Sequence, residues 1–414
     1  MELPPSFDGA PAVPVDRLPA AVRDELARRA AGPEPVAAYL YDTAAAVARA
    51  ERLTAALPAW VDVYYAVKAN PYGPLVEALA GTVTGFEVAS CSEVALADDA
   101  CAKASVPTWV TASGPGKQDS LLHDLARLDG AIVNAESELE LHRLSRAAVA
   151  AGRVVPVALR VNPDRTDMAG SLRMGGVASP FGIPEERLDA AIALAARLPG
   201  LDPVGFHVHA VSGNLDADAH AAYVRQCLGL AVERSAAHGI ALRTVDAGGG
   251  IGVPFEDEAP FDLDRFGALL REIEPPPGVR VALEPGRWLA APVGWYAAQV
   301  TDVKESRGAW FAVVRGGINH FQLPTSWDIR HNFAVLPVDA WPDGLPRPEA
   351  RDAPVTVVGE LCTPEDVLAR DVTVGALRAG DVVVFPNAGA YGFEFAMPAF
   401  LGHPPAERIT LPIA

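Results

Sequence analysis

Eight short β-rich runs alternate with alanine-rich helical stretches through the middle of this chain. They lie at Val61–Val67, Gly85–Ala89, Pro107–Thr111, Ala131–Asn134, Val155–Val161, Val204–His209, Leu242–Asp246 and Val279–Glu284. Strands separated by helices pair in parallel through right-handed crossovers. Eight such repeats predict a closed (β/α)8 barrel, the TIM-barrel architecture, over residues 44–291. An open doubly wound sheet competes, but no stretch carries a dinucleotide fingerprint: Gly248-Gly249-Gly250-Ile251-Gly252 is followed by Val253 where the third glycine should stand. After Pro292 the texture changes to β-rich runs (Trp295–Val303, Trp310–Val314, Val355–Val358, Val382–Phe385) between proline- and glycine-rich loops. Residues 292–414 are therefore expected to form an all-β domain. Residues 1–43 form a proline- and alanine-rich arm with a short helix near Ala20 to Ala31, available to join that β domain.

At 414 residues the chain exceeds one ordinary core, which agrees with two domains. Its net charge of −18, from 34 basic and 52 acidic residues, argues against nucleic acid or an anionic membrane as a general partner. No signal-peptide pattern opens the sequence and no apolar run is long enough to span a bilayer. The four cysteines, Cys91, Cys101, Cys227 and Cys362, lack metal-like or redox-like spacing. The expectation is a cytoplasmic, reduced enzyme without a metal.

Barrels of this type gather functional groups at the C-terminal ends of their strands. Those ends carry Lys68, Glu87, Asn134, Arg160, His209, the glycines after Asp246, and Glu284. Strand capping explains any one of them, but poorly explains the set. Lys68 closes Tyr65-Ala66-Val67-Lys68-Ala69-Asn70; apolar neighbours there would desolvate the amine and favour its nucleophilic form, whereas a plain surface lysine is the alternative. The glycine run from Gly248 offers backbone N–H groups to an anion, aided by a following helix, or else makes a tight turn; the residues favour neither. Ser212 could add a hydroxyl to the same anion. His207 and His209 share one strand face, but no third metal ligand has matching spacing, so a buried, hydrogen-bonded His207 and a cofactor-stacking His209 is the better reading. Glu284-Pro285-Gly286-Arg287 either closes the barrel with a salt bridge or offers a carboxylate to a cationic ring nitrogen and an arginine to a phosphate or carboxylate. Cys362, in a glycine- and proline-bounded loop, and Tyr391, amid small residues, complete the candidates.

Taken in order from about Ala37 to Gly402, these motifs resemble the fold-type III pyridoxal-phosphate decarboxylases, the group of diaminopimelate, ornithine and arginine decarboxylases. The resemblance implies an alanine racemase/ornithine decarboxylase-like fold, pyridoxal 5'-phosphate as cofactor and an amino-acid substrate. It also implies a homodimer with shared active sites. It gives Lys68 the bond to the cofactor, His209 the stacking position and Glu284 the pyridine nitrogen. Ser212, Gly249, Gly250, Arg287 and Tyr391 would hold the phosphate, while Glu87 and Arg160 match cofactor-side positions. Cys362 would be the proton donor, reaching the site from the other subunit.

Two departures bear on substrate. Diaminopimelate decarboxylases usually follow the cysteine with glutamate and use an Arg-Pro pair to help hold the substrate's carboxylate; here Thr363 follows Cys362 and Leu323 precedes Pro324. Ornithine-type enzymes put aspartate after the cysteine. The segments Gly317–Pro324 and Cys362–Asp366 look more like the decarboxylases of carboxylate-siderophore pathways, which act on amino acids conjugated to a carboxylic acid such as citrate. His320, Arg330, His331 and Thr363 are then the expected substrate-side residues. Diaminopimelate, ornithine or arginine decarboxylation is the alternative.

Overall fold

Valine- and alanine-rich strands buried on both faces build the core of the first unit, as parallel strands covered by helices must. In this computed structural model, which describes residues 3–412, eight strands close a parallel barrel. They are Val61–Ala66, Gly85–Val88, Val110–Ala112, Ala131–Ala135, Val155–Asn162, Leu201–His207, Thr244–Asp246 and Arg280–Leu283, and the last pairs back onto the first. The eightfold alternation expected from sequence is therefore present.

Local chemistry fixes where the helices begin. Ser90 accepts the Glu93 N–H (3.2 Å) and Ser137 accepts the Glu140 N–H (3.1 Å), while Asp216 and Asp262 cap the helices Ala217–His238 and Leu263–Arg271 in the same way. Gly152 and Gly239 end two helices in the left-handed conformation. The helix expected directly after the glycine run is absent: Val253 to Asp262 is irregular, and the next helix starts at Leu263.

The chain divides into two compact units, one of residues 45–253 and 259–289 and the other of the remainder. The second unit holds a mixed sheet in the order Ala334–Leu336, Val382–Phe385, Gly294–Ser306, Ala309–Val314, Glu349–Val358, Val367–Arg378. Ala37–Tyr41 adds antiparallel to Gly294–Ser306, and Glu407–Thr410 adds parallel to Ala37–Tyr41. The helix Ala20–Ala30 buries Val22 and Leu26 in the same core as Leu40, Trp295, Leu336, Val382 and Val384. Among the described residues, no helix is long and apolar enough to cross a membrane.

Candidate active site

Lys68 stands in a single 3-10 turn, Val67–Ala69, immediately after the first barrel strand. Its side chain is 43% exposed and pairs with Glu87, the third residue of the next strand. The expected desolvation of the amine is thus not found; an acidic partner holds Lys68 instead. Glu87 itself is buried, which pushes its carboxyl up, with Lys68 pulling the other way.

The turn after the last strand is pressed against Ala66 and Ala69, which flank this lysine. A Cβ on Gly286 would lie 2.8 Å from the Ala69 Cβ and 3.1 Å from the Ala66 Cβ, so only glycine lets Glu284-Pro285-Gly286-Arg287 seat beside the Lys68 turn. Glu284 and Arg287 are both buried. The Glu284 Oε1 atom has no hydrogen-bond partner within the protein, and Oε2 lies 3.5 Å from His207 Nε2. His207 is buried as expected, but neither ring nitrogen makes the hydrogen bond expected of it. Burial, reinforced by Arg160, keeps it neutral by lowering its pKa well below the usual imidazole value.

His209 is fixed by the glycine run. Its Nδ1 accepts the Gly249 N–H at 3.3 Å and its Nε2 lies 3.3 Å from the Ser212 hydroxyl. Gly248 adopts φ +67° directly beneath the ring, where a Cβ would come within 2.5 Å of Nδ1. Burial, Arg160 and Lys68 together hold His209 well below the usual imidazole range. Gly249 and Gly250 also approach the Glu284 and Val211 carbonyls closely, at 2.3 and 2.6 Å from where a Cβ would stand. The run packs closely and positions an imidazole, and its Gly248, Gly249 and Gly252 N–H groups meet Asp246, His209 and the Asn214 carbonyl.

Arg160 is buried against Glu136 (2.7 Å), which also accepts the Gly114 and Gly182 N–H groups at 2.6 and 3.0 Å. Burial raises Glu136, but Arg160 and Lys117 outweigh it and leave the carboxyl below its ordinary range. Asn134 donates to Thr111 and Ser113 inside the barrel (2.8 and 3.0 Å). Sequence reasoning passed over Glu136 and Asp246. Asp246 is a buried acid ending a barrel strand, and that was the available signal.

In the second unit, Cys362 is exposed on the loop between Glu349–Val358 and Val367–Arg378. Thr363 gives its hydroxyl to Glu365. The neighbouring Asp366, also missed, accepts the Ile318 and Leu361 N–H groups, both at 2.7 Å, and so ties two loops together. Tyr391 holds a left-handed backbone (φ +58°), uncommon for a bulky residue, and packs on Trp327 at 4.9 Å between centroids.

Two substrate-side expectations fail on geometry. His320 is buried with Nε2 on the Pro404 carbonyl (2.9 Å), and His331 is buried with Nε2 on the Pro386 carbonyl among Phe255, Phe321 and Phe385. Both rings are structural. Arg330 is half-buried and already paired with Glu256 (3.2 Å) and Asp8 (3.6 Å). One exposed arginine was not anticipated: Arg173, on a short strand that pairs with Val211–Ser212, has no acidic partner among the described residues.

A buried carboxylate with a free oxygen, a lysine at a strand end, a fixed imidazole and a buried arginine form a donor set that suits an aldehyde-bearing aromatic cation with a phosphate. Comparison with known proteins points the same way. Residues 44–291 match the family described as pyridoxal-dependent decarboxylase, pyridoxal binding domain. The chain is 35% identical over 383 residues to a 2-((L-alanin-3-ylcarbamoyl)methyl)-2-hydroxybutanedioate decarboxylase of Staphylococcus aureus, covering 91% of this chain and 94% of that protein. It is 32% identical over 375 residues to an L-glutamyl-(BtrI acyl-carrier protein) decarboxylase of Niallia circulans, covering 88% and 86%. The crystal structure of Helicobacter pylori diaminopimelate decarboxylase complexed with L-lysine superposes with a TM-score of 0.80 at 25% identity, covering 91% of this chain and 92% of that one.

Proposed function

Because the chain belongs to the pyridoxal-dependent decarboxylases, we propose that it decarboxylates an amino acid already joined through an amide to a hydroxy-polycarboxylic acid of the citrate type, in siderophore or related specialised metabolism. The observation that carries this reading is Leu323, wholly buried at the position where diaminopimelate decarboxylases usually set a substrate-binding arginine. Thr363 adds no charge after Cys362, so the usual readers of a distal carboxylate or amine are both missing. The Staphylococcus aureus relative is named for a conjugate of this kind and aligns over nearly the whole chain.

Bound pyridoxal phosphate supplies the electron-withdrawing ring that takes up charge as carbon dioxide leaves. The residues assigned to it are Lys68 for the aldehyde carbon, His209 for the ring face and Glu284 for the ring nitrogen. Ser212, Gly249, Gly250, Arg287 and Tyr391 are assigned to the phosphate, and Glu87 and Arg160 to its surroundings. A carboxylate beside the ring nitrogen favours the protonated ring, which strengthens it as an electron sink. Cys362 is assigned as proton donor from a second copy of the chain, an arrangement consistent with its exposure. The exposed Phe395, Met397, Phe400 and Leu401 are compatible with such association. The compartment implied is the cytoplasm.

For the conjugate's extra carboxylates we assign Arg173, with Arg330 as a second candidate once released from Glu256. Carbon dioxide release measured against diaminopimelate, ornithine, arginine and a citryl-diamino acid tests the reading. Turnover is expected on the conjugate, and Arg173→Ala should raise its KM with little change in kcat. Strong turnover of diaminopimelate overturns the assignment.

A further inference from the structure

Asp246 ends the seventh barrel strand, is 3% exposed, and carries none of the roles assigned above. Its Oδ1 accepts the Gly248 N–H at 2.8 Å. Its Oδ2 accepts the Thr111 hydroxyl at 3.3 Å, and the Thr111 oxygen is in turn occupied by the Asn134 amide at 2.8 Å. One side-chain atom each of Asp246, Glu284 and His207 lies within 4.8 Å of the others.

Charge balance makes this cluster informative. Glu87, Asp246 and Glu284 are all buried, whereas Lys68 is paired to Glu87 and His207 is neutral. Two carboxylates so close together, without a cation between them, cannot both ionise; one keeps a proton. Asp246 already has a protein donor on each oxygen, while Glu284 has an oxygen that no protein donor reaches. The acid whose oxygen stands open is the one available to an incoming cation; the Gly248 N–H favours an ionised Asp246, but burial and the adjoining Glu284 carboxylate outweigh it and leave the proton on Asp246.

We propose that Asp246 is a positioning residue that keeps a proton between its carboxyl group and that of Glu284, and thereby holds Glu284 as an oriented anion for the cofactor's ring nitrogen. This rests on the assignment of Glu284 to that nitrogen made above. Consistent with it, burial first and the neighbouring Glu284 second push the Asp246 carboxyl well above the ordinary range. The titratable groups around Asp246 are Glu284, Glu87, His207, Tyr64 and Cys227. The first two are acids that share the deficit of positive charge. Burial makes Tyr64 and Cys227 harder to ionise, so neither adds charge near neutral pH.

The test uses the full chain and compares wild type, Asp246→Asn and Asp246→Ala, with Glu284→Gln as reference. In cofactor-free protein near neutral pH, infrared difference spectra should show a protonated carboxylic-acid carbonyl band. That band should disappear in Asp246→Asn, whose amide can still donate to Glu284. In loaded protein, Asp246→Asn should keep cofactor affinity but shift the pH dependence of the cofactor's visible absorption. Asp246→Ala should weaken cofactor binding roughly 10-fold to 100-fold, the scale of one lost hydrogen bond to a charged group. Circular dichroism checks that each variant folds, and Asp246→Asn carries the test if the alanine variant does not. Absence of the band in the wild type overturns the shared proton. A band lost in both Asp246→Asn and Glu284→Gln, with absorption unaltered in either, overturns the ring assignment and the positioning role with it. Stoichiometric Zn2+ uptake by cofactor-free wild type, abolished in Asp246→Asn, would make the trio a metal site and overturn the proposal as well.

Discussion

In the barrel unit a strand and a helix recur eight times, so each repeat gives the position of the next. In the β domain no two strands are alike. Barrel strands run from three residues (Val110–Ala112) to eight (Val155–Asn162) and are buried along nearly their whole length. The β-domain strands Glu349–Val358 and Val367–Arg378 run 10 and 12 residues, mix buried with exposed positions, and slip register near Val355 and Val357. The two regions also hold their functional groups differently. The barrel presents them from strand ends, whose location follows from the repeat. The β domain presents them from loops fixed by single side chains such as Asp366.

The largest expected effect contrasts the chemistry of the two units. Lys68→Ala should abolish both turnover and the cofactor absorbance band near the visible edge. Cys362→Ala should keep the band, slow turnover by roughly 10²–10⁴-fold, and release some aldehyde by-product, as loss of a general acid would. Unchanged rate and product in Cys362→Ala would break the division of labour.

A smaller effect concerns stability. Asp366→Ala leaves the Ile318 and Leu361 N–H groups without their acceptor, a cost of about 2–4 kcal/mol measurable by denaturant unfolding. An unfolding curve that superposes on wild type would show the two loops are held by something else.

The smallest effect separates two buried histidines. His220, in the barrel, lies among Tyr223, Phe261 and Phe266 with neither ring nitrogen paired, and burial lowers its pKa from 6.5 to about 4. The unfolded chain therefore takes up this proton first as pH falls, and stability is lost across that interval. His220→Phe should stabilise the protein at neutral pH by about 1 kcal/mol and flatten the loss between neutral and acid conditions. His331, in the β domain, is also lowered to about 4, but it serves the Pro386 carbonyl. His331→Phe should flatten the same loss while destabilising at neutral pH. Equal responses would erase the distinction.

The same contrast explains what was legible in the chain. All eight barrel strands could be placed because valine-rich runs and alanine-rich helices alternate, and Lys68, Glu87, Arg160, His209 and Glu284 follow from their positions at strand ends. The strand Val367–Arg378 was missed because Arg370-Asp371 interrupts its apolar run, and Asp371 sits at a left-handed φ of +56°. Ala334–Leu336 was too short to stand out. His320 and His331 looked available because polar residues surround them in sequence, whereas folding surrounds them with aromatic rings and backbone carbonyls. Asp246 was read as the end of a strand and Asp366 as part of a motif; the contacts that make each one matter come from distant segments.

The contact at Gly286 has a consequence for how such an enzyme diversifies. The turn bearing the lysine and the turn bearing Glu284 meet backbone to methyl group, with no intervening side chain whose replacement could widen the gap. The span between those two anchor points is thus written into main-chain geometry. Outer segments such as the short strand bearing Arg173 can be rebuilt for new substrates while that reach stays constant.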